Sequence, residues 1–231
     1  MEEQLKSNNN DICVVIPVHN ECRAIGRLVE GICSKNLDVI VIDDGSIDGS
    51  GRIAHEKGAH VIYHETKKGK GLSLQEGFAH ALEKNYKGII AMDGDGQHAI
   101  EDIDSFLTKA KEFPSSIING NRMQNAERMP LIRRLTNGIM SWLISLVCKQ
   151  HIPDTQCGFR YIPVNILKEI EINSNDFEIE TEVLIEASRH GYPVASIPIK
   201  TIYQNEKSKI NPYKDTIRFF AYLMRELFPK R

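Results

Sequence analysis

The sequence predicts an α/β fold: one three-layer sandwich with a mostly parallel central sheet and helices on both faces. Three observations carry this reading. Short apolar runs alternate with stretches of helical period over residues 12–118. The apolar runs are continuous rather than alternating, as strands covered on both faces require. Each run of helical period is long enough to return the chain for a parallel neighbour, which is the mark of βαβ units.

The first strand is expected over residues 12–16, an apolar run closed by Pro17. Ile25, Leu28, Val29 and Ile32 then recur at the spacing of one helix face. Residues 39–42 form a second buried strand that ends at Asp43-Asp44-Gly45. A short helix around Ile53 and Ala54 is stopped by Gly58, and residues 61–63 give a brief strand. Leu74, Phe78 and Leu82 mark a helix, and residues 89–92 a strand that ends in Asp93-Gly94-Asp95. Ile103, Phe106, Leu107 and Ala110 mark the next helix, followed by a strand at Ile117-Ile118.

The second half is less regular. It gives a helix over 131–149, a loop over 154–160, a helix over 177–189 stopped at Gly191, and an extended run holding Val194, Ile197 and Ile199. Residues 203–212 are polar and basic, and 215–228 are amphipathic and aromatic. No repeat or linker divides the chain. The expected organisation is a polar tail over 1–10, one domain over 11–212 and an amphipathic helix over 213–231.

Composition excludes several classes. At 41% hydrophobic and 26% charged residues the chain is neither disordered nor fibrous. A net charge of −2, from 29 Lys plus Arg and 31 Asp plus Glu, gives no electrostatic case for a nucleic-acid partner. The N-terminus has no apolar core behind a basic start, so no secretory signal is expected. The longest nearly apolar stretch, residues 139–148, is about half of the ~20 residues a membrane-spanning helix needs. Cys13, Cys22, Cys33, Cys148 and Cys157 include no CxxC pair, which fits reduced thiols in a cytoplasmic protein.

In such sheets ligands bind at the carboxyl ends of the strands. Here those ends carry His19-Asn20-Glu21, Asp43-Asp44, Asp93-Gly94-Asp95 and Asn121-Arg122. Asp93 and Asp95, two carboxylates at i and i+2 after a buried strand, suit a hard divalent cation that keeps substrate phosphates in its shell. Gly94 between them admits a ligand close to the backbone. A calcium loop fails because His98 and Asp104 stand where Gly and Glu are needed. An aspartyl-nucleophile phosphatase wants Thr or Val where Gln97 stands. A merely solvated acidic turn is weakened by the second acidic turn at Asp43-Asp44.

Four segments occur in order: residues 15–21 (VIPVHNE), 41–50 (VIDDGSIDGS), 68–71 (KGKG) and 92–98 (MDGDGQH). Together they resemble the family-two inverting glycosyltransferases of GT-A fold, and within them the dolichol-phosphate and polyprenyl-phosphate sugar transferases. The resemblance implies a nucleotide-sugar donor, UDP- or GDP-linked, and a divalent cation, Mg²⁺ or Mn²⁺. It gives Pro17, His19 and Glu21 to the base and ribose, with His19 standing where the family usually has Tyr. It gives Asp44 to the base, Asp93 and Gly94 to the nucleotide, and Asp95, Gln97 and Asp93 to the metal. Lys209, in Lys207-Ser208-Lys209-Ile210, matches a lysine of the segment that closes over the donor, although Tyr203 stands where the lipid-phosphate branch has an arginine.

Leaving-group chemistry adds four basic positions. Negative charge grows on the departing diphosphate, and a cation with fixed guanidinium groups stabilises it. Arg122, after its strand, is placed for this catalytic role beside Asp95. Lys70 either supports the diphosphate or belongs to a solvated lysine turn, and Arg133 and Arg134 either bind a second phosphate on the acceptor side or form a solvated helix face.

The acceptor follows from whether a base is present. A hydroxyl must lose its proton to a carboxylate, whereas a phosphate, with a second pKa of about 6, is already a nucleophile. Glu178, Glu180 and Glu182 either supply that base or form a solvated face. The expected acceptor is a polyprenyl phosphate at the cytoplasmic membrane face. The alternatives are a soluble hydroxyl acceptor, or a non-catalytic nucleotide-sugar-binding module. Peripheral membrane contact through residues 215–228 and through Trp142, Leu143, Ile144 and Leu146 competes with packing of both segments on the sheet.

Overall fold

β1 (Ile12–Val18) lies in the middle of the sheet because its side chains alternate between two apolar layers: Cys13 and Val15 face one, Val14, Ile16 and Val18 the other. Covered on both faces, the strand has no polar position to show, which is why its sequence reads as one run. It extends two residues past the expected end, with Pro17 inside it, in register with Ile42. The computed structural model describes residues 11–124, 129–174 and 178–202. Lys209, the 203–212 loop, the 1–10 tail and the 213–231 helix lie outside the described residues.

β2 (Asp38–Asp43) and β4 (Gly88–Ala91) flank β1, both parallel to it, and β3 (His60–Tyr63) adds to β2. β5 (Ile117–Asn121) and β7 (Val194–Pro198) also run parallel to one another. Between β4 and β5 stands β6 (Arg160–Pro163), antiparallel to both. The order is β3-β2-β1-β4-β6-β5-β7. The fold class is as the sequence predicts; β6 is the departure from it, since its segment read as the end of a loop.

One face carries α1 (Ile25–Cys33), α2 (Ser50–Glu56) and α4 (Asp102–Glu112). The other carries α3 (Lys70–Glu83), α5 (Leu131–Cys148), α6 (Val164–Glu169) and α7 (Ile179–Arg189). The chain leaves β1 toward β2 and β3, then returns through α3 to β4 on the far side of β1. That reversal makes β1 and β4 a topological switch point, where parallel sheets open a crevice at their carboxyl ends. His19 to Glu21 follow β1 there, and Asp93 to Gln97 follow β4.

Candidate active site

The centre of the site is a lysine held by two carboxylates from distant segments. Lys70 Nζ, at the start of α3, lies 2.5 Å from Asp93 Oδ1 after β4 and 3.0 Å from Glu180 Oε1 in α7. Its side chain is 20% exposed, so the ammonium is screened only partly by water. Burial opposes its charge, but the two carboxylates outweigh that and hold the proton more tightly than usual. Burial would likewise raise Asp93; the Lys70 ammonium, with His98 and Arg122 behind it, holds the carboxyl below its ordinary range instead.

Two glycines make this approach possible. A Cβ at Gly158 would sit 2.6 Å from Glu180 Oε1 and 2.9 Å from Asp93 Oδ2. At Gly94 it would meet Val18 Cγ1 at 2.5 Å. The space on the Cβ side of Gly94 is therefore filled by the end of β1, and this glycine serves close packing.

Asp95 is the carboxylate left without a cation. Among the described residues it makes no ion pair; Oδ1 accepts the Gln97 N–H at 2.9 Å. Burial first, and then the charges of Asp93 and Glu21, push its carboxyl up to about 6. This crowding of negative charge fits a hard divalent cation with oxygen ligands. Of the three expected metal ligands, Asp93 is paired through Oδ1 with Lys70, and Asp95 lies beside Gln97. No group of three or more His, Cys, Asp or Glu able to hold a metal exists among the described residues. A cation here would fill most of its shell from substrate and water.

His98 lies beneath this turn, buried, stacked on Phe159 with centroids 4.9 Å apart, and held neutral by burial, which pushes it down to about 4. The backbone N–H of Asp93 points to its Nδ1 at 3.4 Å, so it supports the acidic turn from below. The chain after β7 closes on the same place: Ile202 N–H donates to Gln97 O at 2.8 Å, and His98 bridges Thr201.

Arg122 does not present a free fork. Its Nε and Nη2 donate to Asp154 Oδ2 and Oδ1 at 2.8 and 2.9 Å, and its backbone N–H to Oδ2 at 3.0 Å. Asp154 is fully buried and Arg122 nearly so. Arg122 and Asp154 form a buried bidentate pair that anchors the loop before β6. The Arg122 charge still reaches Asp93, and burial alone would push Asp154 up were Arg122 not holding it down.

Asp44 also turns inward. It is 3% exposed, and its carboxylate accepts the N–H groups of Lys68 at 2.6 Å and Gly69 at 2.9 Å, besides His64 Nδ1 at 2.9 Å. These contacts shape the loop that feeds α3. The neighbouring Asp43 accepts the N–H groups of Ser46 and Gly51, both at 2.9 Å, and forms the turn into α2.

The remaining expected residues divide. His19 Nδ1 bonds Asp44 O at 2.7 Å, and the Glu21 N–H donates to Ser50 Oγ at 2.8 Å, so the chain after β1 is pinned along the crevice. Pro17 stays within β1, half-buried. Arg133 and Arg134 open α5, Arg134 exposed and Arg133 half-buried, and neither makes an ion pair among the described residues. Glu182 is buried, accepting Asn173 and Ser174 N–H at 3.0 and 2.8 Å.

Sequence reading missed Arg160. Its buried guanidinium donates to the carbonyls of Cys157 at 2.9 Å, Thr155 at 2.7 Å and Glu180, and so staples the 154–159 loop to the start of α7. The signal was present as Asp154, Gly158 and Arg160 in one short polar segment. Cys157 within it is packed, its thiol pushed up to about 12 by burial, as expected of an unreactive cysteine.

Comparison with known proteins adds four findings. A family model described as glycosyl transferase family 2 matches residues 13–171. The chain is 28% identical over 215 residues to a UDP-N-acetylglucosamine–dolichyl-phosphate N-acetylglucosaminyltransferase of Methanococcus voltae, covering 83% of this chain and 86% of that one. It is 26% identical over 202 residues to an undecaprenyl-phosphate mannosyltransferase of Micrococcus luteus, covering 81% and 82%. Among solved structures it is similar to glucosyl-3-phosphoglycerate synthase from Mycobacterium tuberculosis in complex with Mn²⁺, UDP and glucosyl-3-phosphoglycerate. That match has a TM-score of 0.67 at 16% identity, over 94% of this chain and 78% of that one. The fold is GT-A.

Proposed function

The chain belongs to glycosyl transferase family 2, and we propose that this glycosyltransferase moves a sugar from a UDP- or GDP-linked donor to a polyprenyl phosphate, with inversion at the anomeric carbon. In that reaction the acceptor oxygen bonds to the anomeric carbon as the bond to the diphosphate breaks. The nucleoside diphosphate leaves, and no covalent enzyme intermediate forms.

One observation carries the choice of acceptor: two of the three candidate bases, Glu180 and Glu182, are already engaged. Glu180 binds Lys70, and Glu182 accepts two backbone N–H groups. Neither is disposed to take a proton from a hydroxyl. A phosphate monoester needs no such base at neutral pH. The names of the relatives from Methanococcus voltae and Micrococcus luteus support the same acceptor class.

Asp95, with Gln97 and Asp93, would hold a divalent cation, Mg²⁺ or Mn²⁺, and the bound ion supplies positive charge where the leaving diphosphate becomes more negative. The Mn²⁺ in the Mycobacterium tuberculosis structure supports that reading. Lys70 fixes Asp93 and keeps a charge beside it. Pro17, His19 and Glu21 line the crevice along which the nucleotide would lie, with Asp44 holding its wall.

A lipid acceptor brings the site to a membrane surface. No helix among the described residues is long and apolar enough to cross a membrane. α5 instead shows Leu131, Ile132, Leu135, Ile139, Trp142 and Leu146, all at least 47% exposed, behind Arg133 and Arg134. A basic start and a bare apolar face suit interfacial binding. Ile144, expected in that contact, is fully buried, and Leu143 packs against the core.

The test is extraction. Purified protein, a labelled nucleotide sugar and a polyprenyl phosphate are incubated, and label is followed into the organic phase. Transfer of label to the lipid supports the assignment; label only in water-soluble products overturns it.

A further inference from the structure

His64, at the end of β3, is not part of the machinery described above, yet its ring is 1% exposed and lies between two carboxylates. Nδ1 is 2.9 Å from Asp44 Oδ1, and Nε2 is 2.6 Å from Glu76 Oε2 in α3. An ionised carboxylate only accepts hydrogen bonds, so the two contacts together require two ring N–H donors. Asp44 and Glu76 are each held below the ordinary carboxylate range: burial opposes this, and the hydrogen bond from His64 outweighs it only together with the Lys68 and Gly69 N–H groups on Asp44 and with the Lys68 ammonium on Glu76. Each ring nitrogen therefore faces one carboxylate, and His64 is shared between the two acids.

This ring is one link in a closed chain of contacts. Lys68 Nζ caps the other oxygen of Glu76 at 3.0 Å. Asp44 accepts the N–H groups of Lys68 and Gly69, the two residues immediately before Lys70. Glu76 stands on the same helix that Lys70 opens. The loop entering α3 is thus tied through Asp44 and His64 back to the second turn of α3. Its backbone has little freedom to turn Lys70 away from Asp93.

We infer that His64 is a positioning residue for the donor site: by donating to Asp44 and Glu76 at once, it locks the Lys68–Gly69 backbone and thereby sets Lys70 against Asp93 and Glu180. The inference rests on the reading of that site as the one that binds the nucleotide sugar.

The test uses the full chain with three substitutions. His64→Phe keeps a ring and removes both donors; His64→Gln keeps one donor; Glu76→Ala removes only the outer acceptor, whose side chain is 37% exposed. Hydrogen exchange over residues 66–70 is compared with donor KM, kcat and thermal midpoint. Losing a charge-assisted hydrogen bond should speed exchange in that segment and raise donor KM about three- to tenfold in His64→Phe and Glu76→Ala, with partial recovery in His64→Gln. A purely structural histidine would lower the midpoint and leave the segment's exchange and the donor KM of the folded protein unchanged. Should His64→Phe fail to fold, Glu76→Ala decides alone. Unchanged exchange in Glu76→Ala overturns the lock, and faster exchange with unchanged donor KM overturns its link to the site. Exchange needs no substrate, so an error in the proposed reaction is distinguishable from an error about His64.

Discussion

At Asp95 burial and two neighbouring carboxylates favour the neutral acid, and the sign of its contribution follows. The folded carboxyl is raised from 3.8 to about 6. Its contribution to stability is present below the unfolded value and is lost as pH rises through about 6. In cation-free protein Asp95→Asn should therefore be more stable than the parent at pH 7.5, by about 1–2 kcal/mol, and no more stable at pH 4. Thermal melts at the two pH values measure this, and added Mn²⁺ should stabilise only the parent. The Arg122 and Asp154 pair gives the opposite case. Asp154→Ala strands a buried guanidinium and should cost about 3–5 kcal/mol in denaturant unfolding. The sequence showed Asp93, Asp95, Lys70 and Glu180 as residues worth naming, because acids and bases at strand ends are conspicuous. It did not show their pairing, since Lys70 and Glu180 are 110 positions apart. Nor did it show that Asp44 and Arg122 spend their charge inside the protein, because a motif reports residue type and not which way a side chain turns.

Among the elements, β6 is where periodicity stopped being informative. Four residues bounded by Arg160 and Pro163 have no room for a pattern, and the six-residue α6 is too short to show a helical face. The parallel strands were legible because burial on both faces makes them uniformly apolar. The antiparallel β6 had no such mark, yet it brings Gly158 and Arg160 to the site. Gly158→Ala tests that placement: its Cβ would lie under 3.0 Å from carboxylate oxygens of both Asp93 and Glu180. Turnover should fall by at least about tenfold while the fold loses roughly 1–3 kcal/mol, read from initial rates and thermal melts on the same preparation. Full turnover in this variant would mean that the loop before β6 does not shape the site.

For the whole molecule, the proposed lipid acceptor predicts that the exposed apolar side chains of α5 bind a lipid surface. Leu135→Ser with Trp142→Ser removes two of its apolar side chains and should weaken co-sedimentation with anionic vesicles by about tenfold or more, leaving the thermal midpoint nearly unchanged. High salt should weaken binding of the parent as well, through Arg133 and Arg134. Equal sedimentation of parent and variant would remove α5 from the membrane contact. The most direct test of the central claim measures nucleoside diphosphate release from a panel of UDP- and GDP-linked sugars, with and without polyprenyl phosphate, for the parent protein and Asp95→Ala. The expected result is release from one donor that depends on the lipid phosphate, requires Mg²⁺ or Mn²⁺, and is lost in Asp95→Ala. Full release in EDTA, or in Asp95→Ala, or with the lipid omitted and a water-soluble acceptor in its place, would contradict it.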